Sequence, residues 1–99
     1  MKVIWTKEAL ERLAEIEEFI AQDSPQRAKK FISFLIERGD SISQNPEIGR
    51  VVPEISNPGI RELIAKKYRL VYRIKNDKIE ILTIFEGHRL LRIDEIEID

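Results

Sequence analysis

The stretch from Tyr68 to Lys75 constrains this chain more than any other, because its side chains alternate. Tyr68, Leu70, Tyr72 and Ile74 interleave with Arg69, Val71, Arg73 and Lys75. That period of two belongs to an extended strand. It sets Arg69, Arg73 and Lys75 on one face of a sheet. An apolar strand face needs neighbouring strands and a covering layer, and the rest of the chain must supply both.

Neighbours are legible on either side. Asn76-Asp77 reads as a hairpin turn without the favoured Gly, and Lys78 to Phe85 returns as a strand apolar on both faces, hence central. Arg61 to Ala65 reads as another strand, and Lys2 to Trp5 as a short first one. Two helices supply the covering layer. Thr6 caps the first, whose Ala9, Leu10, Leu13, Ile16 and Ile20 recur at helical spacing to about Asp23. Ser24-Pro25 opens the second, with Ala28, Phe31, Ile32, Leu35, Ile36 and Ile42 as its stripe, and it stops before Asn45-Pro46. Residues 46–59 read as a loop. The short link predicts an antiparallel helical hairpin. The expected fold is α+β with two layers: an antiparallel sheet, elements in the order β-α-α-β-β-β, and the hairpin on one face. The opposite face is expected to be open and basic.

Length allows one core, so residues 1–92 read as one domain and 93–99 as an acidic tail. A chain 42% hydrophobic and 35% charged is too apolar for disorder and too charged for a membrane protein. The charged first twenty residues do not read as a signal peptide, and the expected location is cytoplasmic. There is no cysteine and one histidine, His88, which excludes thiol chemistry and any site with two His ligands in one chain. No glycine-rich phosphate loop or G-x-S-x-G elbow occurs. The net charge of -1 hides a pattern: residues 25–75 carry +6 and the two ends together -7. Such asymmetry can mark an interaction surface.

The order Trp5-Thr6, two helices, Asn45-Pro46-x-x-Gly49-Arg50-x-x-Pro53-Glu54, Ile60-Arg61-Glu62-Leu63-Ile64, Tyr68-Arg69-Leu70-Val71-Tyr72-Arg73-Ile74 and Ile79-x-Ile81-Leu82-Thr83-Ile84-Phe85-x-Gly87-x-Arg89 resembles the RelE/ParE superfamily of type II toxin–antitoxin toxins. The resemblance runs from residue 2 to about 92, and the Y-R-L-V-Y-R strand with the downstream G-x-R is its most specific part. It implies a growth-inhibiting toxin neutralised by a cognate antitoxin, with no cofactor, no metal and no membrane. It implies one of two targets: the ribosome and its mRNA, cut without metal in RelE-like members, or DNA gyrase, poisoned by ParE-like members.

Cleaving RNA without metal needs fixed cations where charge builds on the phosphoryl oxygens. Arg69 and Arg89 match the two phosphate-binding arginines of RelE-like toxins. Lys66, Lys67 and Arg73 add charge nearby. His88, of a residue type titrating near ~6.5, suits proton transfer. Each has a plainer reading: Arg69 and Arg73 solvated or paired with Glu62 or Glu80, His88 a satisfied turn residue, the lysines a solubilised turn. The chain departs from the RelE pattern with Glu95 where RelE has tyrosine and Glu86 where many relatives have histidine. Together with the near-neutral charge, these departures leave the enzyme question open and admit an alternative, a non-toxic interaction module that has lost its active site.

Overall fold

The computed structural model describes residues 1–55 and 57–87. The elements are β1 (Lys2–Trp5), α1 (Lys7–Ala21), α2 (Pro25–Asp40), a short 3-10 helix (Ser41–Gln44), β2 (Arg50–Val51), β3 (Ile60–Ala65), β4 (Tyr68–Lys75) and β5 (Lys78–Glu86). The strands form one sheet in the order β1-β5-β4-β3-β2. The α+β class, the helical hairpin and the central place of β5 are as expected. Two details differ. Residues 50–51 form a two-residue edge strand inside the expected loop. The sheet is mixed, because β1 runs parallel to β5 while its other pairs are antiparallel. The connection from β1 to β5 runs through the helical hairpin and three antiparallel strands, long enough for the two to lie parallel.

The helices start where the caps predict. Thr6 Oγ1 accepts from the Ala9 amide at 3.2 Å, and Ser24 Oγ accepts from the Arg27 amide at 3.2 Å. Ala9 and Leu13 of α1 and Leu35 of α2 pack on the sheet face carrying Leu63, Tyr68, Leu70, Tyr72, Ile79, Ile81 and Ile84. Gly39 is where α2 meets β1: a Cβ there would lie 2.3 Å from the Trp5 ring. The Trp5 Nε1–H donates to Asp40 at 3.0 Å. The Asn76-Asp77 hairpin forms without glycine, both residues taking φ near +60° (52° and 61°).

One irregularity explains why β5 reads as apolar on both faces. Val71 pairs with Thr83 and Tyr72 with Ile81, so Leu82 is an extra residue, a β-bulge. Ile79, Ile81 and Ile84 therefore face the helices, while Leu82 and Phe85 face away. That second face is closed, which corrects the expectation of an open basic surface. Val52 and Ile55, from the segment after β2, fold over it and bury Ile60, Val71, Leu82 and Phe85. The charge pattern does not reveal this cover, because its two apolar anchors sit in a short Pro- and Gly-containing stretch with no period. Among the described residues no helix is long and apolar enough to cross a membrane.

Candidate functional site

Beneath that cover sits a charged cluster. Arg69 points from β4 onto the second face and is 3% exposed. Its Nε donates to Glu62 Oε1 at 2.6 Å, and its Nη1 and Nη2 donate to the two oxygens of Glu54 at 2.7 and 2.9 Å. Nη2 also ion-pairs with Glu62. Every nitrogen of the guanidinium thus meets a carboxylate. Glu62, on β3 opposite Val71, has a side chain with no exposure, and its Oε2 accepts from Arg50 Nε at 2.6 Å. Arg50 and Glu62 are register partners across β2 and β3. The result is a neutral quartet of two arginines and two glutamates. The Glu54 bonds, first of all, hold the Arg69 pKa above its ordinary value against the lowering effect of burial, so it stays charged at every working pH.

A second anchor lies on the helix side. The Tyr72 hydroxyl donates to the Pro46 carbonyl at 2.8 Å and accepts from the Gly49 amide at 2.9 Å. Arg61 Nη1 donates to the Gly49 carbonyl at 2.8 Å. A Cβ at Gly49 would lie 2.5 Å from the Glu62 carbonyl oxygen and 2.8 Å from the Tyr72 ring and hydroxyl. Burial pushes the Tyr72 phenol upward, opposed by the Gly49 bond.

Among the described residues the sequence-predicted cations do not converge. Arg73 shares the Arg69 face and is held by Glu80, Nε to Oε1 at 2.6 Å. Of the two plainer alternatives for these arginines, pairing is therefore the one observed: Arg69 with Glu62 and Arg73 with Glu80. Lys66 and Lys67 form the β3–β4 turn, Lys66 with φ 55°. The Lys66 ammonium lies 4.9 Å from the Phe34 ring centroid and 5.9 Å from that of Phe31, and that of Lys67 lies 6.0 Å from Tyr68. These are cation–π distances, for Lys66 onto two rings of α2 and for Lys67 onto Tyr68 at the start of β4. His88, Arg89 and Glu95 lie outside the described residues. Glu86, exposed at the end of β5, pairs in register with Tyr68. Among the described residues no three His, Cys, Asp or Glu side chains gather as metal ligands.

The sequence model of the family described as ParE toxin of type II toxin-antitoxin system, parDE, matches residues 3–91. The chain belongs to the ParE toxin family. Curated relatives of this ParE-family toxin include the putative toxin Y4kP of Sinorhizobium fredii, 33% identical over 94 residues, covering 89% of this chain and 90% of the relative. Toxin RelE2 of Caulobacter vibrioides is 31% identical over 90 residues, covering 90% and 98%. Among solved structures, the chromosomal ParDE system of P. aeruginosa superposes with a TM-score of 0.74 at 26% identity, over 87% of this chain and 95% of that one. The Mycobacterium tuberculosis RelBE2 toxin–antitoxin complex gives 0.64 at 21%, over 86% and 88%, a likeness of fold.

On the helix side of the ParE-family domain, two apolar hollows flank Phe19, itself 68% exposed. One is lined by Ile16, Tyr68 and Ile84 beside Arg12 and Glu15; the other by Phe31 and Phe34 beside Arg27, Lys30 and Lys66. The Glu54 contact and the Tyr72 anchor were not found from sequence. Glu62 could be weighed against Arg69 because both stand in alternating strands. Glu54 stands in irregular chain, where no period announces a direction.

Proposed function

We propose that this toxin arrests growth by engaging a protein target, DNA gyrase in the ParE manner, and not by cutting mRNA. The burial and full engagement of Arg69 carry the reading. For Arg69 to hold a phosphate, its nitrogens must leave Glu54 and Glu62. Stripping one partner from a buried ion pair costs about 3–5 kcal/mol. The two carboxylates left behind would also repel the phosphate. The match to the ParE family and the likeness to the ParDE system agree with this reading.

A paired assay tests it. Purified toxin inhibits supercoiling by gyrase and leaves mRNA intact in a translating extract. Codon-phased cuts in that extract, abolished by Arg69→Ala, would overturn the proposal in favour of the ribosome.

The toxin has a cognate antitoxin, which lays an apolar-faced segment across the helical hairpin and the sheet, on the Phe19 ridge and its two hollows. An exposed phenylalanine over apolar hollows is the kind of anchor such partners use. Phe19→Asp is expected to abolish co-purification with the antitoxin and rescue by it, while the variant still arrests growth. A Phe19→Asp toxin still neutralised by its antitoxin removes the ridge from the interface.

A further inference from the structure

Residues 46–55 contain only two residues of strand, yet both faces of the sheet hold them down. On the helix side, the Tyr72 hydroxyl takes Pro46 and Gly49, and Arg61 takes the Gly49 carbonyl. On the other side, Glu62 takes Arg50 and Arg69 takes Glu54. The Val52 amide donates to the Ile60 carbonyl at 3.3 Å, and Val52 and Ile55 are buried. What these anchors leave outward is specific. Ile48 is 45% and Val51 39% exposed, and the side chain of Arg50 between them is 62% exposed. Glu62 takes Arg50 through Nε, leaving the far end of the fork toward solvent.

We propose that this pinned loop is the element with which the toxin reads its target. It presents Ile48, Arg50 and Val51 to an apolar protein surface that bears a carboxylate, and Arg69 serves as a positioning residue for it. Three observations carry the proposal. Buried charge and a buried hydroxyl are invested in a segment whose own packing needs only Val52 and Ile55. Loops held rigidly on a scaffold are where binding groups concentrate. Two branched apolar side chains flanking an arginine suit the fully buried core of an interface, which is more apolar than the rest of the surface, in a setting where Arg is enriched. Fixing the loop beforehand removes the ordering cost that a free loop would pay on binding. The proposal rests on the reading of this toxin as one that acts on a protein.

The test uses the full chain, expressed from a titratable promoter alone and with its antitoxin. The double variant Ile48→Asp/Val51→Asp is expected to melt like wild type and to bind antitoxin. Its potency in growth arrest should fall at least about thirtyfold, the size of a hot-spot loss. A folded double variant as toxic as wild type would overturn the proposal. The triple variant Arg69→Met/Glu54→Leu/Glu62→Met replaces the ion pairs with apolar packing, an exchange that proteins often accept without loss. Because it also removes the groups that hold Glu54 and Arg50 in place, it is expected to fold and bind antitoxin but to lose growth arrest as far as the double variant does. A triple variant that folds and stays as toxic as wild type would overturn the positioning role of Arg69. If the triple does not fold, the double variant still decides the loop's role. Codon-phased mRNA cuts by the wild-type toxin would overturn the protein-target reading instead, a result read in the RNA and separate from both variants.

Discussion

Tyr72 does two jobs that its position in an alternating strand only half announces. Its ring is core, and its hydroxyl is the peg for residues 46–49. Burial raises the phenol pKa of Tyr72 and of Tyr68, the chain's two tyrosines, above the ordinary 10.0. A group whose folded pKa is raised contributes stability that is intact below its unfolded pKa and lost as pH climbs through the folded one. The fold should therefore be insensitive to these groups below pH 10.0 and lose stability above it. Spectrophotometric titration should show less tyrosinate at that pH in the native protein than free tyrosine gives; a free-tyrosine curve for both residues would contradict the burial. Gly49→Ala drives a Cβ against the Glu62 carbonyl and the Tyr72 hydroxyl and should cost about 2–3 kcal/mol in urea unfolding. At this scale the sequence was partly readable. The period of two fixed which face Arg69 occupies, and Glu62 was a visible partner. Glu54 was not, because loop residues are aimed by distant contacts and no local period reports them.

At the scale of elements, Thr6 joins the cap of α1 to the bulge of β5. Its hydroxyl accepts from the Ala9 amide and donates toward the Ile81 and Leu82 carbonyls, at 2.8 and 3.0 Å. Losing a cap costs about 1 kcal/mol and losing a partner for a part-buried carbonyl about 1 more. Thr6→Ala should thus lower stability by about 2 kcal/mol, against about 1 for Ser24→Ala, whose hydroxyl serves its cap alone (Arg27 N–H). Equal losses in chemical denaturation would show that the link to the bulge adds nothing. Elements with their own signals were legible: both helices, the hairpin at Asn76-Asp77, and β4 to the residue. β2 was not, since a two-residue strand has no period and exists because Glu62 and Arg61 stand opposite it. The closing of the second sheet face was missed for the same reason.

At the scale of the whole molecule, three arginines in the basic middle of the chain are paired within the fold. Arg50, Arg69 and Arg73, which a linear count assigns to a cationic segment, fold against Glu54, Glu62 and Glu80. Cations already paired release few counterions on meeting RNA. Single-stranded RNA should accordingly bind weakly, with an affinity that barely changes with salt. A steep salt dependence in fluorescence anisotropy would mean that these pairs open or that other cations suffice. The mixed sheet has a consequence of its own. Lys2 to Trp5 lie against Lys78 to Ile81, the strand that the ribosome delivers last among those described. β1 thus waits through synthesis of both helices and three strands before β5, its one neighbour among the described residues, exists, and so distant a pairing comes late in folding. A nascent chain lacks this interior strand until residues 78–86 emerge, so the sheet of this toxin can close only after both helices and the other strands have been made. Before then a partner that grips the finished sheet has nothing to hold.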